Sequence, residues 1–248
     1  MSRLLVNQLA IITGAGSGIG KATCNIFARE GACVIAADRN LKNASITRDE
    51  ISKINENNHT AFEIDVANKN SLDKVLSDVI SKYNKPPSVV VNCAGITKDN
   101  FLLKMSEEDF DDVVKINLKG TFLMMQTFGN AMVTAEQPGT IVNIASIVGK
   151  TGNIGQANYT ASKSGVEAMT RTASKEFGKF GIRVNAVLPG FIVSPMTDTV
   201  PDKVRQMIVA QSALRRFGQP EEIGEVIAFL ASSRSSYVNG ASIEVTGG

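Results

Sequence analysis

Short runs of β-branched and aliphatic residues alternate with longer segments of helical periodicity along nearly the whole chain. Seven runs are predicted as strands, at residues 9–13, 32–38, 60–66, 88–92, 140–146, 183–188 and 242–245. Six intervening segments are predicted as helices, at residues 20–30, 43–55, 71–82, 107–132, 159–180 and 221–231. Because alternating strands and helices form βαβ units, the pattern predicts an α/β fold with a doubly wound, seven-stranded parallel sheet and helices on both faces.

The chain of 248 residues contains no internal repeat, low-complexity tract or linker, so one domain over residues 1–248 is expected. Residues 188–218 interrupt the alternation with Pro189, Pro195 and Pro201 among mixed apolar residues. A long excursion after a late strand usually shapes a substrate site or forms a lid. We therefore expect a mobile substrate loop at about 189–218.

The composition argues against several classes of protein. With 26 Lys and Arg against 24 Asp and Glu, no strong field favours nucleic acid or an anionic membrane. Cys24, Cys33 and Cys93 lack metal-ligand spacing and His59 is the only histidine, so no metal site is expected. Free cysteines suit a reducing compartment. No run approaches the ~20 apolar residues of a membrane span, and the strand beginning by Leu9 leaves no room for a signal peptide. We expect a soluble protein, with cytosol and mitochondrial matrix both open.

The first predicted strand runs directly into the turn GAGSGIG at residues 14–20, which opens a predicted helix. This order suits a dinucleotide, because a helix N-terminus offers free N–H groups to a pyrophosphate and glycine lets the backbone approach closely. The residues expected to contact the cofactor are Gly14, Ser17, Gly18, Ile19 and Gly20. A glycine-rich sequence can also be only a tight turn, so the prediction needs support elsewhere.

Asp38 ends the second predicted strand, 18 residues after Gly20. A carboxylate there can accept both hydroxyls of the adenosine ribose and would repel a 2′-phosphate, so NAD(H) is predicted rather than NADP(H). The absence of a basic residue at Ser17 supports NAD. Two alternatives stay open: Asp38 could simply cap the next segment, and Arg39 could pair with a phosphate or stack on adenine.

The next two predicted strands end in residues that should border the same cofactor, because ligands lie outside the carboxyl ends of parallel strands. These residues are Asp65 and Val66 after the third strand, and Asn92, Ala94 and Gly95 after the fourth. For each of these two strand ends the alternative is that the residues only form a turn and do not contact a cofactor.

Tyr159 and Lys163 lie four residues apart, on one face of a predicted helix. A nearby cation favours phenolate and so should lower the tyrosine pKa from its usual value of about 10. This spacing alone is a common accident. Here Ser146 stands 13 residues earlier at a predicted strand end, and Asn117 lies in the preceding predicted helix. These four residues are the candidate catalytic set.

Several motifs together resemble the short-chain dehydrogenase/reductase family over essentially the whole chain. They are TGAGSGIG at 13–20, DV at 65–66, NCAG at 92–95, the Asn117 segment, Ser146, YTASK at 159–163 and PGFI at 189–192. One departure is Cys93, where Asn is usual. The resemblance implies a single-domain Rossmann fold, a nicotinamide cofactor and interconversion of a carbonyl and a secondary alcohol.

The resemblance also implies a role for each candidate residue. In reduction, Ser146 hydrogen-bonds the substrate carbonyl and Tyr159 donates a proton to the developing alkoxide. Lys163, beside Tyr159, holds the nicotinamide ribose and lowers the tyrosine pKa, and Asn117 positions water for proton relay. A further pair, Ile192 and Ser194, matches positions that contact the carboxamide and pyrophosphate side of the cofactor, although a loop turned by Pro-Gly is the alternative.

Longer stretches narrow the resemblance to one branch. Residues 94–100 and 147–158 resemble 3-oxoacyl-acyl-carrier-protein reductases, and PPSVVVNCAGIT, NLKGTFL, SIVGK and IEVTGG resemble the 17β-hydroxysteroid dehydrogenases that serve as subunits of the mitochondrial reductase. This implies acyl thioesters or a steroid such as estradiol as substrates, a homotetramer or a heterotetramer with a related subunit, and the mitochondrial matrix. Phe101, Leu102, Phe191 and Met196 would suit either substrate.

Two further expectations concern partners and catalysis. Lys179 and Phe180 precede Gly181, where some relatives that bind carrier protein show an arginine, so direct docking of acyl-carrier protein is doubtful. The alternative from a different class is a non-catalytic NAD-binding scaffold or redox sensor. Such a protein would be expected to have lost the tyrosine or the lysine.

Overall fold

A computed structural model describes residues 3–195, 197 and 202–248. Its strands are β1 (Leu9–Thr13), β2 (Cys33–Asp38), β3 (Thr60–Glu63), β4 (Val89–Asn92), β5 (Gly139–Ile144), β6 (Ile182–Pro189) and β7 (Ser242–Val245). All pair in parallel, in the order β3-β2-β1-β4-β5-β6-β7. The predicted α/β class and seven-stranded parallel sheet are confirmed.

The α-helices in the described residues alternate with these strands. They are α1 (Gly18–Arg29), α2 (Leu41–Ile51), α3 (Lys69–Tyr83), α4 (Glu107–Val113), α5 (Gly120–Thr134), α6 (Val148–Thr151), α7 (Ala157–Phe177), α8 (Asp202–Gln211) and α9 (Pro220–Ala231). Helix α9 starts with Pro220 at its first turn and a capping box between Gln219 and Glu222, which satisfies otherwise unpaired N–H groups.

Two apolar cores cover the two faces of the sheet. On one face, Phe27 of α1 and Ile227 of α9 are buried in a core that includes alternate residues of β1, β2, β4 and β5. On the other, Val79 of α3 and Phe128 of α5 are buried in a core that includes the intervening residues of the same strands. Because strand side chains alternate between faces, apolar residues at nearly every strand position are needed to fill both cores.

The predicted helix at 107–132 is not one regular α-helix. Helices α4 and α5 are joined by a π-helical segment, Val114–Lys119, that contains the buried Asn117. A π-turn inserts one extra residue without ending the helix, so apolar periodicity does not reveal it. The predicted strands at 60–66 and 140–146 also end earlier, at Glu63 and Ile144.

The 189–218 segment contains α8, where no helix is predicted from sequence. None of the side chains described in α8 is buried. Val204, Met207 and Ile208 have helical spacing, but the prolines of this segment favour a loop in the sequence. Met196, predicted as a substrate residue, lies outside the described residues. Across the described residues, every helix is too short or too polar to cross a bilayer.

His59 is a structural histidine. It is buried, its Nδ1 accepts a hydrogen bond from the backbone N–H of Val34 at 3.0 Å, and its Nε2 lies 2.9 Å from Asn55 Oδ1. Burial lowers its pKa. Within the described ranges no three His, Cys, Asp or Glu residues converge as a metal site.

Candidate active site

A cavity opens at the carboxyl edge of the sheet, where the strand order reverses between β1 and β4. Parallel strands leave a crevice at such a reversal because their connections depart to opposite faces. The cavity is lined by Gly14, Ser17, Gly18, Ile19, Gly20, Asp38, Arg39, Ile64, Asp65, Val66, Cys93, Ala94, Gly95, Ile96, Ile116, Ile144, Tyr159, Lys163, Ser194 and Pro195. Most of the predicted cofactor residues therefore come together in one place.

The glycine turn is folded so tightly that side chains are excluded at two of its positions. Gly14 has φ +65°, and a Cβ there would lie 3.0 Å from the backbone of Ala94. A Cβ on Gly20 would lie 2.2 Å from the carbonyl oxygen of Gly14. Helix α1 begins at Gly18, and the Ser17 side chain does not cap it, so first-turn N–H groups stay available to an anion.

Asp38 holds the glycine turn and also faces the cavity. Its Oδ2 accepts a hydrogen bond from the N–H of Gly16 at 2.9 Å, and its Oδ1 accepts from the N–H of Asn40 at 2.9 Å. Arg39 is exposed at the same edge of the cavity. Asp38 therefore orders the glycine turn and the residues before α2, whose N-cap is Asn40. These bonds are compatible with a ribose contact because carboxylate oxygens each accept more than one hydrogen bond.

Residues that follow β3 and β4 also line the cavity. Asp65 Oδ1 accepts a hydrogen bond from the N–H of Ala67 at 2.9 Å, which turns the chain after β3 and places Asp65 and Val66 on the cavity wall. After β4, Ala94 and Gly95 line the wall. Turn formation and cavity lining are therefore combined in the same residues.

Asn92 does not line the cavity, contrary to its predicted contact with the cofactor. It is buried, and its Nδ2 donates to Asn143 Oδ1 at 2.8 Å. Asn143 in turn donates to the Thr170 hydroxyl on α7 at 2.9 Å. These bonds tie β4 to β5 and β5 to α7, so Asn92 supports the floor of the site. Its Oδ1 is buried without a hydrogen-bond partner.

Tyr159 lies in the first turn of α7, half-buried at the cavity wall. Its phenol faces Ser146, which stands two residues beyond the end of β5 and favours the phenolate form. Burial raises the pKa of Tyr159 to about 12, and the charge of Asp99 adds to the increase, while Ser146 opposes it. The lowered pKa predicted from the neighbouring lysine is thus wrong for this structure.

Lys163 explains why the phenol is not made more acidic. Its Nζ lies 5.6 Å from the centre of the Tyr159 ring and donates to the carbonyl oxygen of Ile144 at 2.7 Å. The side chain is only 4% exposed, and this burial lowers the pKa of Lys163 to about 8. Desolvation therefore penalises the charged forms of both residues.

Asn117 connects three parts of the site. Its Oδ1 accepts from the N–H of Ile96 at 2.9 Å, and its Nδ2 donates to the Ile96 carbonyl at 3.0 Å and to Ser162 Oγ at 3.2 Å. Ser162 donates to the carbonyl oxygen of Tyr159 at 2.7 Å. Asn117 is therefore a positioning residue that joins the loop after β4, at Ile96, to helix α7. Its part in holding water stays a prediction.

Several residues that are predicted to contact the cofactor or the substrate do not line the cavity. Ile192 is buried beneath the wall, while Ser194 lines it. Of the predicted substrate residues, Phe101 and Leu102 are exposed and Phe191 packs on Phe217 with ring centres 5.9 Å apart. Sequence analysis missed the apolar wall, formed by Ile64, Ile96, Ile116, Ile144 and Pro195 with Cys93. Adjacency to the motif residues is the one signal that could have identified several of them.

The cavity residues fit a dinucleotide. A tight glycine-rich turn and an uncapped helix N-terminus meet the requirements of a pyrophosphate, and Asp38 lines the cavity at the end of β2, where a ribose is bound in this type of fold. At the other end, Tyr159 and Lys163 occupy the wall beside Ser146. The fold and this site together define an α/β oxidoreductase of the nicotinamide-dependent class.

Comparisons with known proteins agree with the assignment to the oxidoreductases. Residues 14–248 match a family described as enoyl-(acyl carrier protein) reductase. The chain is 48% identical over 250 residues to a (3R)-3-hydroxyacyl-CoA dehydrogenase of Mus musculus, covering 98% of this chain and 96% of the relative. It is 45% identical over 244 residues to a 3-oxoacyl-[acyl-carrier-protein] reductase of Thermotoga maritima, covering 98% of both. The crystal structure of levodione reductase superposes with a TM-score of 0.93 at 30% identity, covering 98% of both chains.

The chain belongs to the short-chain dehydrogenase/reductase family, as its motifs predict. Membership implies a nicotinamide cofactor, either NAD or NADP.

The buried lysine predicts a pH dependence of stability. The pKa of Lys163 is about 8 in the folded protein and about 10.4 in an unfolded chain. Between these values the unfolded chain binds more protons, so stability rises with pH. Relative to a Lys163→Met variant, wild-type unfolding free energy should increase by about 2 kcal/mol between about pH 7.5 and 10. Urea unfolding across this range measures it. Lys175→Met, at an exposed position of α7, is the control, and an identical trend in both variants would contradict the prediction.

Proposed function

We propose that the protein is an NAD(H)-dependent oxidoreductase that interconverts 3-oxoacyl and 3-hydroxyacyl thioesters. The observation that carries the proposal is the pairing of Tyr159 with Ser146, beside the buried Lys163, on the wall of a cavity whose other end is the glycine turn. The names of the relatives from Mus musculus and Thermotoga maritima support the acyl thioester as the substrate class.

The chain's own groups provide acid–base chemistry for this reaction. A bound nicotinamide supplies or accepts the hydride. In reduction, the Ser146 hydroxyl hydrogen-bonds the ketone oxygen and Tyr159 transfers its proton to that oxygen as the alcohol forms. The raised pKa of Tyr159 keeps the phenol protonated, which is the form needed for this step. In oxidation the same group must first lose its proton and then act as the base.

NAD is the proposed cofactor because of Asp38. Its carboxylate is held by backbone N–H groups of Gly16 and Asn40, so it cannot easily turn away from the cavity edge. A 2′-phosphate placed there would meet a fixed negative charge. Arg39 is exposed at the same edge and could be recruited to a phosphate, so a direct comparison of the two cofactors is the required test.

A second candidate substrate is a 17β-hydroxysteroid such as estradiol. It is supported by the sequence resemblance of the β4 region and of the closing IEVTGG, and by the apolar isoleucines of the cavity wall, which accept an acyl chain or a steroid equally. Both substrates would use the same acid–base group.

Assembly and location follow from the same branch of the family. We propose a homotetramer, or a heterotetramer with a related reductase subunit, acting in the mitochondrial matrix, with the cytosol as the alternative. Lys179 and Phe180 place one cation and an exposed ring before Gly181, which argues that a partner subunit would supply any docking of acyl-carrier protein. Tight, salt-sensitive binding of carrier protein to the isolated chain would refute this.

The function is tested by following reduced-nicotinamide absorbance with acetoacetyl-CoA and, in the reverse direction, with estradiol. Each substrate is offered with the NAD and the NADP form of the cofactor. We expect turnover of the thioester with NADH and at least about tenfold lower kcat/KM with NADPH, corresponding to about 1.4 kcal/mol. If the protein oxidises estradiol and does not reduce acetoacetyl-CoA, the steroid dehydrogenase activity replaces the thioester activity as the proposed function. A preference for NADPH would show that Arg39 binds the 2′-phosphate and outweighs the repulsion expected from Asp38.

A further inference from the structure

The loop that follows β4 is clamped to the start of α7, directly before Tyr159. The N–H of Asn100 donates to the carbonyl oxygen of Gly155 at 2.8 Å. In the opposite direction, the buried Asn158 donates through Nδ2 to the carbonyl oxygen of Lys98 at 2.9 Å. Both bonds flank Asp99, so the position of this carboxylate relative to α7 is fixed by backbone groups on either side.

Asp99 also binds the same turn through its side chain. Its Oδ2 accepts a hydrogen bond from Gln156 Nε2 at 2.8 Å, and Gln156 Oε1 accepts one from Asn153 Nδ2 at 2.9 Å. Gln156 is the residue that precedes the first turn of α7. A chain of side-chain bonds therefore runs from the β4 loop to the turn that sets the position of Tyr159.

Within the part of the chain that the structure describes, Asp99 forms no ion pair with the nearby lysines. The neighbouring Lys98 is drawn away into ion pairs with Asp109 at 3.0 Å and Asp112 at 2.9 Å, both on α4. On α7, Lys163 is directed to the carbonyl oxygen of Ile144. Burial is the main cause of the raised pKa of Tyr159, and the charge of Asp99 raises it further.

We propose that Asp99 is a positioning residue for Tyr159: through Gln156 it orients the turn before the tyrosine, and it places a carboxylate next to that turn. Its negative charge adds to burial in disfavouring the phenolate form of Tyr159. The inference rests on the proposed function. Its consequence is that Tyr159 donates a proton over a wider alkaline range, so that reduction persists to higher pH and oxidation requires higher pH. The overall equilibrium of the reaction is unchanged, because it depends only on the free energies of the substrates and products.

The test is the pH profile of Asp99→Asn. Asparagine keeps an oxygen for Gln156 but removes the charge. The alkaline limb of kcat/KM for reduction and the acidic limb for oxidation should both move to lower pH, by about half a unit to one unit, with KM for the thioester unchanged. Asp99→Glu, which keeps the charge, should restore the wild-type profile. Asp73→Asn, on the distant α3, is the control for removal of a carboxylate.

A second variant covers the case in which Asp99→Asn does not fold. Gln156→Lys leaves Asp99 in place and sets a cation against it, so its profile should shift in the same direction. If both variants, or the one that folds, keep the wild-type profile while losing kcat, Asp99 is only a structural residue and the proposal is overturned.

A readout without turnover separates this proposal from the proposed function. The chain has three tyrosines, so tyrosinate absorbance can be titrated in the NAD⁺ complex and corrected with the matching Tyr159→Phe protein. Asp99→Asn should lower the midpoint of the Tyr159 signal, whether or not acetoacetyl-CoA is reduced. An unchanged midpoint contradicts the role of Asp99. A lowered midpoint in a protein that turns over no thioester would contradict only the assignment of substrate.

Discussion

Tyr159→Phe should reduce kcat about 10³-fold while leaving cofactor affinity within about twofold. In the proposed mechanism the phenol oxygen is the group that transfers the proton to the substrate oxygen, and it faces Ser146. Phenylalanine keeps the ring that packs at the cavity wall, and the glycine turn at the other end of the cavity is untouched. Steady-state kinetics and titration of NADH fluorescence measure the two quantities separately.

The matched control is Tyr237→Phe, because Tyr237 is fully exposed and lies outside the cavity. It should leave kcat and cofactor affinity unchanged. Undiminished turnover by Tyr159→Phe would make the proposed mechanism wrong. If the wild-type chain and both variants bind NADH equally and none turns over a carbonyl substrate, the non-catalytic scaffold becomes the better account.

Gly20→Ala should abolish tight cofactor binding. A Cβ at this position would lie 2.2 Å from the Gly14 carbonyl oxygen and 2.7 Å from its carbon, and these are backbone atoms that no rotamer change can move. The turn must therefore open, displacing the N–H groups at the start of α1. We expect at least about 100-fold weaker NADH binding, about 2.7 kcal/mol, and a stability loss of about 1–3 kcal/mol.

Gly178→Ala provides the comparison at a glycine without a steric conflict. Gly178 has φ −55°, and a Cβ there would meet its nearest neighbour, Asn239 Nδ2, at an ordinary 3.6 Å. Alanine should leave NADH affinity unchanged and keep or slightly increase stability. Calorimetric titration and urea unfolding measure both. Equal NADH affinity of the Gly20→Ala and wild-type proteins would contradict the geometry of the turn.

The sequence by itself determined the fold class and the location of the site. Two periodicities, of about 2 and 3.6 residues, distinguish strands from helices locally, and their alternation leaves a parallel sheet as the arrangement that buries both sets of apolar faces. Topology then brings the carboxyl ends of the strands to one edge. Gly14, Asp38 and Ala94 lie there because each follows or ends a strand, and this is a property of local order along the chain.

Some local features escaped the sequence because their signal is weak. The π-helical segment at Val114–Lys119 keeps the apolar stripe of a continuous helix, although it alters the direction in which Asn117 points. Helix α8 spans only ten residues and follows Pro195 and Pro201 in the sequence, so these loop signals outweigh the helical spacing of its few apolar residues. Residues that border a motif, such as Ile144 and Ile116, become the cavity wall only when distant segments meet.

Only the tertiary structure decided the electrostatics of the site. The spacing of Tyr159 and Lys163 predicts an acidified phenol, yet burial raises the pKa of Tyr159 and lowers that of Lys163. Desolvation depends on every atom around a group, and Asp99 acts on Tyr159 across 60 positions of sequence. Spacing along a helix fixes which side chains are neighbours, whereas the free energy of their charges is set by segments that fold around them.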